Sequence, residues 1–164
     1  MSRSDLLKSL RFSNSAPYYF KNTILNNKFK KSSLDNRALI IPCAGRSSRF
    51  RSFETPKPLA KIDGVPCLIR LIDDLCPYFK KVYVAVPNDP KIRDLYKTNI
   101  DRYFSKSSIE MIEVEPGKGD GDAIYEVLKE IKNITYSSIM IAWGDAVINN
   151  KDLIHDCILG FNKL

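Results

Sequence analysis

From residue 38 the chain alternates two incompatible hydrophobic periods, and this alternation restricts its fold more than any other feature. Four short apolar segments rich in β-forming residues are ALIIPC (38–43), KVYVAVP (81–87), IEMIEV (109–114) and SSIMIAW (137–143). Stretches with helical spacing separate them. Leu68, Ile69, Ile72 and Leu75 share one helical face in a run opened by Pro66 and stopped by Pro77. Asp89 and Pro90 have the form of an N-cap and first helical residue for a run with Ile92, Leu95, Tyr96 and Tyr103. Asp120 or Asp122 can cap a third run in which Ile124, Val127, Leu128 and Ile131 face inward, and Lys151 to Gly160 reads as a fourth. Strands that alternate with helices pair in parallel and are covered on both faces. Such strands are apolar almost throughout, as these are. The expected architecture is α/β: a Rossmann-like three-layer sandwich with a mostly parallel sheet, beginning near residue 38.

A 164-residue chain that is 44 % hydrophobic is long and apolar enough to bury the core of one domain. Its net charge of +7 suggests nucleic acid until the charge is located. Residues 1–37 carry eight Lys/Arg against Asp5 and Asp35, which is six of the seven net charges. The chain therefore divides into a basic N-terminal extension (1–37) and a nearly neutral globular part (38–164), which argues against a nucleic-acid-binding face on the domain. Salt-dependent polyanion binding by the extension is a separate reading. The first dozen residues have some of the composition of an organellar transit peptide, but Asp5 and the Asn/Lys-rich continuation fit a solvated extension better. No stretch reaches the ~18 apolar residues of a membrane span. Cys43, Cys67, Cys76 and Cys157 show no C-x-x-C spacing and read as reduced core thiols of a cytoplasmic protein. His155 reads as filler on the last helix.

In parallel sheets, ligands gather beyond the carboxyl ends of the strands. Three chemically unusual loops lie there. The first, AGRSSRF, has small residues that let backbone N–H groups approach an anion. Arg49 and Lys57 can neutralise phosphate oxygens, Lys57 from a segment stiffened by Pro56 and Pro58. The second, EPGKGDGDA, admits close approach of a flat group such as a base but lacks the pattern of a P-loop or a calcium loop. The third, WGDA, sets Asp145 directly after a strand, where a carboxylate could hold Mg²⁺ bridging phosphates. Each taken alone also fits a plain basic loop, turn or cap. The same applies to Arg46, Arg51 and Lys61 as solvated charge, and Trp143 reads as packing ahead of base stacking.

In this order the loops resemble the nucleotidyltransferase superfamily of sugar-1-phosphate, phosphocholine and molybdopterin nucleotidyltransferases. The carrying residues are IIPCAGRSSRF, then PKPLAKIDGVPCLIRLID, Gly119-Asp120-Gly121-Asp122-Ala123, and IMIAWGD, spanning about residues 38–160. The resemblance implies that backbone from Ala44 through Gly45, Arg46 and Ser47 to Ser48 wraps the phosphates of a nucleoside triphosphate. It implies that Arg49 binds the triphosphate and leaving pyrophosphate, and that Lys57 meets the α-phosphate. It places Glu115 and Gly119 at the base and Asp145 on Mg²⁺. The implied reaction is transfer of a nucleotidyl group to a phosphorylated small-molecule acceptor, with a sugar 1-phosphate favoured by family frequency. Positioning and charge neutralisation suffice for such chemistry. A nucleotide-binding or regulatory module without turnover is the alternative. A dinucleotide-binding oxidoreductase would need a G-x-G-x-x-G after the first strand, which the sequence lacks.

Two departures from the family pattern bear on this. Ser47 stands where the family has a glycine. The family also draws a second metal-binding aspartate from strands further on, whereas this sequence ends 19 residues after Asp145. Asp152 and Asp156 do not match that position. The sequence is thus expected to be the N-terminal part of a longer protein, with an apolar sheet edge at its end.

Overall fold

The computed structural model describes residues 36–45, 55–104 and 108–150, and after them residues 152, 154 and 156–158. The chain runs β1 (Arg37–Pro42), a 3-10 turn (Lys57–Leu59), two short strands β2 (Lys61–Ile62) and β3 (Val65–Pro66), then α1 (Cys67–Leu75). A second 3-10 turn (Cys76–Tyr78) leads to β4 (Lys81–Pro87), α2 (Pro90–Tyr103), β5 (Ile109–Val114), α3 (Asp120–Glu130) and β6 (Ser138–Ile141). β1 pairs in parallel with β4 and with β6, and β4 in parallel with β5, giving the order β5-β4-β1-β6.

The period of two along each strand sorts the core into two sides of this sheet. Leu39 and Ile41 of β1, with Val82, Val84 and Val86 of β4, pack against α1 and against Tyr96 and Ile100 of α2. Ala38 and Ile40, with Tyr83, Ala85, Ile112 and Val114, pack against Ala123 and Val127 of α3 and Ile131 beyond it. Helices therefore cover both faces, and the sandwich has three layers. Each large aliphatic side chain withdrawn from water contributes about 1.5–3 kcal/mol before chain entropy is set against it. β1 is buried at every residue and lies between two parallel neighbours, so it is the spine of the sheet.

Local signals decide the boundaries. Asp89 caps α2 as expected: its Oδ1 accepts from the N–H groups of Lys91 (2.9 Å) and Ile92 (3.1 Å), and Pro90 occupies the first helical position. α1 ends at Leu75, just before Cys76-Pro77. Asp63 (φ 48°) and Gly64 (φ 80°) both lie in the left-handed region, which makes the two-residue turn joining β2 to β3.

Several expectations shift. β1 begins at Arg37 and ends at Pro42, one residue early at each end. The last strand covers only Ser138–Ile141 of the expected 137–143. α3 is capped by Gly119 rather than by Asp120 or Asp122, which stand in its first turn where a carboxylate favours the helix dipole. Leu95 and Leu128, expected inside, are exposed, and Ile100 and Ala123 are buried in their stead. Of the expected fourth helix, the described residues 152, 154 and 156–158 are helical, while the side chain of His155 lies outside the described residues. Among the described residues β6 forms one edge of the sheet, with Ile139 and Ile141 about two-fifths exposed (41 % and 39 %). No helix among the described residues is long and apolar enough to cross a membrane.

The Asp89 cap supports a checkable expectation. Asp89→Ala leaves the Lys91 and Ile92 N–H groups without their side-chain acceptor and should lower stability by about 1 kcal/mol in urea unfolding, at unchanged slope.

Candidate functional site

The chain passes from β1 to β4 on one side and returns to place β6 on the other, so the order of strands reverses between β1 and β6. The carboxyl ends of two parallel strands part at such a switch point and leave a crevice above them. Ala44 and Gly45, the described start of the first loop, and the third loop stand at this end.

At the end of β1, the Cys43 N–H donates to the Ala85 carbonyl (2.8 Å). Ala44 is buried against the α3 side of the sheet, and Gly45 is exposed. Arg46, Ser47, Ser48 and Arg49, like Arg51, lie outside the described residues. The path re-enters at Thr55 and forms the 3-10 turn, where the Leu59 N–H donates to Pro56 (2.8 Å) and the Ala60 N–H to Lys57 (3.0 Å). Pro58 and Leu59 are buried and anchor this turn. Lys57 is consequently held outward on a short, proline-flanked support, and its ammonium forms an ion pair with Oδ2 of Asp145. The two side chains are 54 % and 30 % exposed, so the pair adds little to stability. Its significance is placement: residues 88 apart in the sequence meet over the β1–β6 crevice.

Gly144 explains how Asp145 comes so close. A Cβ there would collide with Cys43 Sγ and lie 3.2 Å from Pro58 Cβ and 3.4 Å from Ile41 Cγ2. The glycine lets the third loop rest directly on the end of β1 and on the turn that carries Lys57. The Ala146 N–H donates to Trp143 (2.9 Å) and closes a tight turn around Asp145.

The second loop stands at the same sheet end but beyond β4. Gly117 (φ 84°) and Gly119 (φ 107°) bend it in the left-handed region that side chains avoid. Glu115 is exposed, and no side-chain partner of it is found among the described residues. The tie between this loop's helix and the crevice is one that sequence reasoning missed: Trp143 Nε1 donates to Oδ2 of Asp120 (2.9 Å). Trp143 is 53 % exposed, so the expectation that it serves as packing is corrected. β6 ends two residues before it, and its ring stands at the rim of the crevice. The proximity of Asp120 to Trp143 has no signature in one dimension.

Cys43 forms the floor beneath these groups. Burial, with the Asp145 and Asp120 carboxylates adding to it, pushes its thiol far above the ordinary range, so it stays protonated and is no nucleophile. Cys67 is also buried and its thiol raised, chiefly by burial. Cys76 is partly buried and pushed up to about 12, by burial first and then by Asp73 and Asp74. Cys157 is exposed, which corrects its reading as a core thiol. Among the described residues no three His, Cys, Asp or Glu side chains gather as a metal cage.

Residues 39–162 match the family model of the MobA-like NTP transferase domain. The bifunctional proteins GlmU of Methanococcus maripaludis strains C7 and C5 are 29 % and 28 % identical over 114 residues, which is 68 % of this chain and 25 % of each relative. The chain thus spans about a quarter of the length of the curated relatives it matches. A nucleoside-diphosphate-sugar pyrophosphorylase from Vibrio cholerae RC9 superimposes with a TM-score of 0.53 at 15 % identity, over 71 % of this chain and 52 % of that one. This likeness supports the same α/β fold.

Filling the one gap that lets the loops touch should be costly. Gly144→Ala is expected to destabilise the protein by about 1–3 kcal/mol, read as a lowered midpoint in thermal unfolding, because Cys43 and Pro58 are fixed by the core.

Proposed function

The chain belongs to the MobA-like NTP transferase family, and on that premise we propose that it takes part in transferring a nucleotidyl group from a nucleoside triphosphate to a phosphorylated acceptor, with release of pyrophosphate. A sugar 1-phosphate is the acceptor favoured by the name of the Vibrio cholerae neighbour, which would place the reaction in the making of sugar nucleotides, in the cytoplasm. The observation that carries the reading is the meeting of Lys57 and Asp145 over the β1–β6 crevice, beside the Ala44–Gly45 backbone.

In this reading an acceptor phosphate oxygen attacks the α-phosphorus in line, the bond to the bridging oxygen of the β-phosphate breaks, and pyrophosphate leaves. Negative charge grows on the α-phosphate and on the leaving group. Lys57 is assigned to offset the first as a point charge, and Arg49 the second. The N–H groups of Ala44 to Ser48 are assigned to the phosphates, and Glu115 and Gly119 to the base. Asp145 is a single hard oxygen donor, which suits Mg²⁺ because that ion takes most of its ligands from phosphates and water. When bound, the ion would neutralise phosphate charge. Lys57 and Asp145 hold one another in the free protein, so nucleotide binding would require them to part, freeing Lys57 for the α-phosphate and Asp145 as the carboxylate that would hold Mg²⁺.

A nucleotide-binding module without turnover is the second reading: of the two carboxylates near the crevice among the described residues, Asp145 pairs with Lys57 and Asp120 accepts from Trp143.

Pyrophosphate release decides between them. The protein is incubated with Mg²⁺, each nucleoside triphosphate and a set of sugar 1-phosphates and phosphocholine, and pyrophosphate is followed by phosphorus NMR. Turnover is expected with one pairing, and Lys57→Ala should lower it about 10²- to 10³-fold. Asp145→Asn should abolish Mn²⁺ binding seen by electron paramagnetic resonance in the presence of nucleotide. Nucleotide binding without pyrophosphate would select the second reading, and absence of binding would overturn both.

A further inference from the structure

Tyr96 is fully buried in α2, in the middle of the apolar layer under the sheet, and its hydroxyl donates to the carbonyl of Cys43 (3.2 Å). The need for this bond comes from the neighbouring strand. The register pairs Pro42 with Ala85, so the ladder would next set Cys43 opposite Val86. In a parallel ladder a residue whose N–H and C=O face the neighbouring strand donates to the residue before its partner and accepts from the residue after it, while its chain neighbours bond to the other side. The Cys43 N–H does donate to Ala85. The donor that its carbonyl should meet belongs to residue 87, which is a proline and has no N–H. Cys43 is only 4 % exposed, so without another partner that carbonyl would be a buried, unsatisfied acceptor.

The Tyr96 hydroxyl takes the place of the missing ladder donor, from below the sheet rather than from within it. The consequence falls on the next residue. The Cys43 carbonyl and the Ala44 N–H share one trans peptide and point in opposite directions. With the carbonyl drawn toward α2, the Ala44 N–H is turned away from that layer, at the start of the loop assigned to phosphates. We infer that Tyr96 and Pro87 together set the orientation of the Ala44 amide, Tyr96 acting as a positioning residue for the phosphate chain of the nucleotide. This inference rests on the reading of that loop under Proposed function.

The test compares wild type, Tyr96→Phe and the double variant Tyr96→Phe/Pro87→Ala. Affinity is measured by calorimetry for inorganic tripolyphosphate and for each nucleoside triphosphate with Mg²⁺, alongside thermal unfolding and amide exchange at Ala44 and Gly45. Tyr96→Phe should weaken tripolyphosphate and nucleotide binding about 5- to 20-fold and speed exchange at Ala44. The double variant returns an N–H to the ladder. Its midpoint should recover, while the peptide now lies in the plane of the sheet and phosphate affinity stays low. Recovery of affinity together with stability would reduce Tyr96 to a merely structural role and overturn the inference, as would wild-type affinity and exchange in Tyr96→Phe. If the wild type binds neither tripolyphosphate nor any nucleotide, the functional reading falls and the positioning role with it, whatever the exchange at Ala44.

Discussion

Cys43 meets three neighbours within the space of one residue, and the shape of the site follows from that crowding. Its N–H is held by β4, its carbonyl by Tyr96 of α2, and its sulfur lies against Gly144 of the third loop. The first bond extends the β1–β4 ladder one residue past the strand. The second satisfies the carbonyl from the α2 layer. The third contact leaves no room for a side chain between the loops that follow β1 and β6. β1 is buried at every residue, so its end cannot shift to relieve any of these demands without disturbing both faces of the core.

Above that packed floor the chemistry is polar and open. Lys57 and Asp145 are both partly exposed, and their attraction is screened, so the fold does not rely on them. The reverse dependence is strong. Lys57 reaches the crevice because Pro58 and Leu59 are buried under it, and Asp145 reaches it because Gly144 has no Cβ. The protonated Cys43 thiol beneath adds no competing charge. Trp143, tied to Asp120, carries the rim toward the second loop. A rigid apolar base beneath exposed charged groups suits the proposed reaction, in which charge develops on phosphate oxygens and must be met without reorganisation.

Much of the layer structure was legible before any coordinates. KVYVAVP and IEMIEV form strands over the expected residues, and Asp89-Pro90 opens its helix as the side-chain chemistry dictates. These are local effects, settled by a few neighbouring residues. Errors arose where burial depends on what lies opposite. Leu95 and Leu128 have helical spacing suited to the core but fall on the flank of the contact, where no described element covers them. Trp143 continues the apolar run after β6 yet stands in solvent, since the strand ends two residues earlier. The cap of α3 passed from an aspartate to Gly119 because the chain enters that helix in the left-handed region, which only glycine adopts readily.

By itself the sequence determined an α/β chain with its net basic charge gathered in residues 1–37, three loops following strands of a parallel sheet, and a family resemblance that the comparisons support. Hydrophobic period and short motifs act within a few residues, so they are written along the chain. The tertiary structure alone decided that β6 pairs with β1, that Lys57 meets Asp145, that Asp120 holds Trp143, and that Tyr96 answers for the donor Pro87 lacks. Those outcomes depend on strand order and register, which arise from packing two helical layers around one buried strand and have no counterpart in local spacing.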